Sequence, residues 1–323
     1  MRKISALIVA TVVATSLAAC ASPVTTAADC TTGVKSGDAS SLVTVTSEGS
    51  ADSTTADAAS IPVVSYPTPL FTDGLEKSTI SSGKGQVLQD GDIADTTVWV
   101  YDGSTEAPIT TGNVRPLIGD PDNPFSKLVE CSTVGSRIAA TVDRSVILAP
   151  ETEGAAVKDE TIVMIIDVTA RYLGKANGAE QIPQAGMPSV VLAPDGRPGI
   201  TVPNEAAPSD LKVAVLKQGD GATVADGDTV VVNYTGVVWE DKSVFSSTWE
   251  DGSAASVVVK SLDPTDGTGL VEGFKTALTG QKVGSQVVVV VPPAQGYAGS
   301  TPPAGVTADS TLVYVFDVLG IQK

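Results

Sequence analysis

The chain has 323 residues, a formal net charge of −17, no histidine and only 4% aromatics. Its length exceeds what one hydrophobic core usually serves and predicts two domains. The acidity argues against nucleic acid and anionic head groups as partners. The lack of histidine argues against Ser-His and Cys-His nucleophiles and imidazole metal sites.

Arg2 and Lys3 precede an uncharged run from Ile4 to Ala19. That run is shorter than the roughly 20 apolar residues a membrane span requires and reads as an export signal. It closes in Leu17-Ala18-Ala19-Cys20, which resembles the lipobox of bacterial lipoproteins. The resemblance implies a signal peptide over residues 1–20, a diacylated Cys20 and an anchor on the extracytoplasmic side of the cell membrane. The other reading is an ordinary small-residue cleavage site beside an incidental cysteine. Loss of the two cations at positions 2 and 3 would take the net charge from −17 to −19. Residues 21–59, rich in Ser, Thr, Ala, Gly and Asp, predict a tether that cannot bury a core. Cys30 and Cys131 are the remaining thiols. In an oxidising compartment a bridge between them would close a long loop, worth on the order of 4 kcal/mol, and two free thiols are the alternative.

Apolar runs begin near Ile61, fade through "GKANGAEQIPQAG" at 174–186, and resume. This predicts a first domain over 60–175, a linker over 176–185 and a second domain over 186–323. The two read as copies of one unit. "GQVLQDGD" at 85–92 mirrors "GATVADGD" at 221–228. "FSKLVECSTVGSRIAATV" from Phe125 lies over "FKTALTGQKVGSQVVVVV" from Phe274, and "ETIVMIIDV" from Glu160 over "STLVYVFDV" from Ser310. In this overlay Tyr101 lies on Tyr234, Phe125 on Phe274, and Met164 stands where Tyr314 is.

In the second unit, 229–238 and 285–291 are β-branched runs and Thr311–Leu319 alternates, so all three predict strands. Leu312, Tyr314, Phe316 and Val318 share one face of the last strand, and Val313, Val315 and Asp317 the other. Leu270, Val271, Phe274, Ala277 and Leu278 fall at helical spacing, with Gly280 available as a stop. A short helix packed on an antiparallel sheet would bring Phe274 to the face carrying Tyr314. "VNYTGVVWEDKSVFSST" at 231–247 and Trp249 just beyond it crowd Tyr234, Trp239, Phe245 and Trp249 into one stretch.

"DGDTVVVNYTG", "FSS", "GLVEGFKTALTGQKVGSQ", "VPPAQGY" and "DSTLVYVFDV", in that order over roughly 209–323, resemble the FKBP-type peptidyl-prolyl isomerases. The resemblance implies an α+β fold: two FKBP-like domains, each a curved antiparallel sheet wrapped on one short α-helix. It further implies isomerisation of X–Pro bonds in exported polypeptides, without metal or cofactor. Rotation about X–Pro must break amide resonance, a barrier of roughly 18–20 kcal/mol, and no proton need move. A dry aromatic bowl disfavours the dipolar planar amide relative to the twisted, ketone-like transition state.

By the same resemblance Tyr234 and Phe245 form one wall, Phe274 the floor and Tyr314 the far wall. Val271 offers a backbone N–H and Tyr297 a hydroxyl to substrate carbonyls, while Val306 caps the rim. Ser246 and Trp249 join the binding residues. Phe274 and Tyr314 could equally be core. Three departures bear on rate and leave macrolide binding open: Ser246 where relatives commonly have Asp, Ala255 where an aromatic is usual, and an insertion at 260–269. The first domain has no VPPxxGY loop between Thr141 and Glu160 and is expected to be inactive. The rival reading is a non-catalytic peptide-binding or chaperone lipoprotein. Asp90/Asp92 and Asp226/Asp228 read as solvated turns before calcium ligands.

Overall fold

The computed structural model describes residues 33–47, 61–147, 160–263, 265 and 267–322. Two large antiparallel sheets and two small two-stranded ones carry the described residues. Leading to the first are α1 (Asp38–Ser41), β1 (Thr44–Ser47) and β2 (Val63–Ser65). Its elements are β3 (Glu76–Ser81), β4 (Asp92–Asp102), β5 (Pro108–Val114), α2 (Pro124–Val129), β6 (Arg137–Asp143), α3 (Arg144–Ile147) and β7 (Thr161–Leu173). Then come β8 (Ala179–Glu180), β9 (Ser189–Leu192), β10 (Pro198–Thr201), β11 (Lys212–Gln218), β12 (Thr229–Val238), β13 (Val244–Ser247), α4 (Thr248–Asp251), β14 (Ala255–Val258), α5 (Glu272–Leu278), β15 (Gln286–Val291) and β16 (Leu312–Gln322). The strands expected at 229–238, 285–291 and 311–319 are thus present, and Gly280 at φ +80° follows the helix.

The first sheet runs β3-β6-β7-β4-β5. The second runs β13-β12-β16-β15-β11-β8, with β14 also on β12. Starting at β3 and at β11, the two orders are the same, which agrees with the internal repeat. The registers then correct the overlay. Thr97 stands opposite Asp167 and Asn233 opposite Asp317, so Val98 occupies the position of Tyr234, and Tyr101 that of Val237. Tyr101 is three residues off. An odd displacement places a strand side chain on the other face of its sheet. Tyr101 accordingly packs with Trp99, Tyr66 and Val163, and its hydroxyl donates to the Pro62 carbonyl at 2.6 Å.

Both faces of each sheet are covered, which is why "VVVVV" at 287–291 is apolar without alternation. On one face of the second sheet, α5 and the aromatic side chains cover Val287, Val289 and Val291. On the other, Val288, Val290, Val313 and Val315 meet Val202 and Trp239, with Val190 and Ile200 of the β9–β10 hairpin beside them. In the first sheet, Ala39, Val43 and Val64 cover the corresponding face. Residues 38–47 therefore belong to a packed layer. The tether expected over 21–59 contains real structure because Ala39 and Val43 supply apolar contacts its composition conceals. Cys131 is disulfide-bonded; Cys30, like Cys20 and the signal segment, lies outside the described residues.

The expected linker 176–185 is also structured. β8 pairs with β11, and the Ala176 N–H donates to the Asp317 carboxylate at 2.8 Å. Asp317 is almost wholly buried, and that burial pushes its carboxyl up from the ordinary range, opposed by hydrogen bonds from Ala176 and Gln286. Across the junction, Ile93 and Tyr172 pack with Val231, Ala254 and Leu319. Gly320 permits this approach: a Cβ there would lie 2.3 Å from the Tyr172 ring.

Candidate functional site

The residues that matter come from five separate pieces of chain. β12 carries Tyr234, β13 Phe245, α5 Phe274, the turn after β15 Tyr297, and β16 Tyr314. α5 begins after Val271 and directs Phe274, Ala277 and Leu278 into the core. Phe274 and Tyr314 meet at a ring-centroid distance of 4.3 Å. Tyr297 meets Phe274 edge-on at 6.3 Å, and Phe245 meets Tyr314 edge-on at 5.5 Å. Tyr234 lies 5.5 Å from Tyr314. Tilted and edge-to-face contacts at these spacings suit the quadrupoles of aromatic rings and stabilise by about 0.5–1.5 kcal/mol per pair beyond burial. Among the described residues, every close pair of aromatic rings belongs to this cluster.

Phe316 was not among the site residues chosen from sequence, although the alternation of its strand had placed it on the same face. It stacks on Tyr314 with ring planes 11° apart at 5.2 Å and also touches Tyr234 and Phe274. The room for these rings is made by Gly236, opposite Tyr314 in the ladder. A Cβ at that position would stand 2.8 Å from both Phe245 and Tyr314.

Val271 and Val306 are buried in the same cluster, with Leu262 of the 260–269 insertion, Leu270 just after it and Ala255 packed at its margin. The insertion is closed by hydrogen bonds from the Leu262 N–H to the Leu270 carbonyl just after it and from the Asp263 N–H to the Thr268 carbonyl, both at 2.8 Å. Ser246, at the position where a carboxylate was expected, pairs its hydroxyl with that of Tyr234 at 3.2 Å. Burial, and then the neighbouring Tyr234, hold the Tyr297 hydroxyl above its ordinary 10; burial does the same more strongly for Tyr314. Both are therefore protonated donors through the neutral range. The chemistry available is that of a largely buried, apolar cluster of rings carrying tyrosine hydroxyl donors, with no poised base among them.

Two tryptophans depart from the expected patch. Trp239 faces the opposite side of the sheet, with its indole N–H donating to the Glu205 carbonyl at 3.1 Å. Trp249, taken from sequence as a binding residue, sits on α4 after the chain has turned away, and lines a cavity toward the first sheet. Proximity in sequence misled here, because one helical turn redirects the side chain.

In the first sheet the matching positions hold Val98, Phe125, Met164 and Ile166, with Phe125 at the edge of the core. Residues 148–159, where the missing Tyr297-type loop was expected, lie outside the described residues.

Residues 221–319 match the family model for FKBP-type peptidyl-prolyl cis-trans isomerase. A probable FK506-binding protein of Corynebacterium glutamicum is 30% identical over 125 residues, which are 38% of this chain and 97% of that protein. The chain belongs to the FKBP-type peptidyl-prolyl cis-trans isomerase family. The FK506-binding protein of Streptomyces anulatus is 25% identical over 127 residues, 39% of this chain and 97% of the relative. FkpA of Escherichia coli is 31% identical over 112 residues, 35% of this chain and 38% of its own length. The crystal structure of that FkpA has 26% identity, covers 43% of this chain and 53% of its own, and superposes with a TM-score of 0.31. The FKBP assignment thus rests on the C-terminal part of the chain.

Proposed function

We propose that the sheet from β11 to β16 with α5 is the catalytic domain, isomerising X–Pro bonds of extended or unfolded polypeptides outside the cytoplasmic membrane. One observation carries this reading: rings from five separated segments converge on Phe274 and Tyr314. In this reading the pyrrolidine ring docks among Tyr234, Phe245, Phe274 and Tyr314. The Val271 N–H and the Tyr297 hydroxyl engage the flanking carbonyls. Water exclusion then disfavours the planar amide, and the donors favour the twisted one. No cofactor takes part.

The first sheet, in this proposal, is a degenerate FKBP-like copy without turnover, serving as spacer or docking module. Export rests on the Arg2–Cys20 segment and is supported by a relative named outer membrane protein MIP in Legionella longbeachae, 27% identical over 157 residues. Cys20 would supply the lipid anchor. A cis/trans assay of the full chain on a prolyl peptide tests catalysis. Tyr297→Phe should lower kcat/KM roughly tenfold, the value of one hydrogen bond, and Phe274→Ala should abolish turnover. An inactive parent chain would sink the proposal.

One observation favours the rival, a non-catalytic peptide-binding or chaperone module. Phe274 and Tyr314 are each only 5% exposed, so much of the ring surface is satisfied by other rings. Suppressed aggregation of a proline-free client without turnover would select that reading.

A further inference from the structure

Between the two sheets lies a cavity of about 410 Å³, within the range of small-ligand pockets, which favour domain junctions. Its walls are apolar: Ile93 and Leu117 come from the first unit, Ala254 and half-buried Trp249 from the second. Its lining also includes the carboxylates of Asp90 and Asp120 from the first unit and Asp195 from the second, the last two each accepting one backbone N–H at 3.0 Å. The polar groups at its floor are already engaged within the chain. The Asn233 amide donates to the Gly174 carbonyl at 3.1 Å, and its oxygen accepts from Thr248 at 3.1 Å.

The two cations on its lining are committed as well. The Lys175 ammonium donates to the Pro194 carbonyl at 2.8 Å. The Arg115 guanidinium pairs with Asp95 at 3.1 Å and donates to Ser256 at 2.9 Å. The cavity therefore combines an aliphatic and indole lining with three carboxylates, while its own two cations are bonded to other groups, Pro194 and Asp95.

We infer that this junction cavity is a second polypeptide-binding site, separate from the aromatic cluster, and that it takes a Lys or Arg side chain beside an apolar residue. The aliphatic stem of a lysine or arginine lies against apolar wall while its head reaches the carboxylates. The indole face of Trp249 adds cation–π attraction. The chain's net charge of −17 steers a basic segment toward these carboxylates. No proline is needed, so the site could hold a client while a nearby X–Pro bond turns over.

The test titrates the full chain with an acetylated, amidated Gly-Lys-Leu-Lys-Gly peptide, following tryptophan emission. Trp99 and Trp239 are 4% and 5% exposed, so a saturable change reports on Trp249, and Trp249→Phe should remove it. Binding should weaken roughly five- to tenfold in the D90N/D120N/D195N variant, as expected for loss of three surface ion pairs, and should fade in about 0.5 M salt. Turnover of a short prolyl peptide by that triple variant should stay unchanged, whereas its loss would mean that these carboxylates serve the isomerase site. A peptide with glutamate in place of both lysines should not bind the parent chain, a control independent of any variant's folding. Absence of a saturable response, an equal response to the glutamate peptide, or full affinity in the folded triple variant would each overturn the inference.

Discussion

The two sheets of this chain share one strand order and differ in what fills the face beneath the helix. In the second, Tyr234, Phe274, Tyr314 and Phe316 meet there, and Gly236 gives up its side chain to make room. In the first, the same ladder positions hold Val98, Phe125, Met164 and Ile166, and Val100 stands where Gly236 is. The first set packs as an aliphatic core with no ring-to-ring contact among the described residues. One scaffold thus supports either a cluster of aromatic rings or an aliphatic core, and the exchange of a few side chains on two strands, β4 against β12 and β7 against β16, separates them. Conversely, on the far face of the first sheet Tyr101 and Trp99 pack with Ala39, Val43, Val64 and Leu70.

The sharpest way to break this comparison is a pair of truncations. Phe274→Ala should cost roughly 3–5 kcal/mol in denaturant unfolding and eliminate turnover. Phe125→Ala, at a partly exposed core edge, should cost less and leave turnover intact. Equal loss of activity in both would contradict the proposed division of labour. Next, reduction of the disulfide at Cys131 should destabilise the first sheet by roughly 2–4 kcal/mol, seen as an earlier unfolding transition with unchanged isomerase activity. A Gly236→Ala variant should cost roughly 1–3 kcal/mol by overpacking against Phe245 and Tyr314 and should lower turnover, whereas Val100→Ala should leave turnover alone.

Smaller effects separate the sheets by pH. Burial lowers Lys77 of the first sheet from its ordinary 10.5 to about 8, only partly offset by Glu130. Its ammonium donates to the Glu130 carbonyl at 2.6 Å. Between pH 8 and 10.5 the unfolded chain binds more protons at this lysine than the folded one, so its contribution to stability rises with pH across that window. Lys77→Met should flatten the rise between pH 8 and 10 in unfolding experiments. The aromatic cluster should show the opposite indifference: with Tyr297 and Tyr314 held above their ordinary 10, turnover measured by exchange spectroscopy should stay level from about pH 6 to 10. A bell-shaped profile in that range would implicate a titrating group outside the cluster.

Much of the second unit was legible in the sequence because its strands alternate or run β-branched, its helix has clear spacing, and its motifs recur in order. The shared strand order was legible too, through three matched blocks. Sequence alone fixed neither the register of the first unit nor the direction of Trp239 and Trp249. Register depends on partner strands far away in the chain, and a slip of an odd number of residues turns a ring to the other face, as with Tyr101. Composition likewise hid the packed layer at 38–47 and the strand at 179–180, since a few apolar residues gain a core only when another part of the chain supplies the complementary surface. Local pattern determined which segments are strands and which is the helix. Tertiary contact decided which side chains meet, because burial is shared between segments and no single segment specifies it.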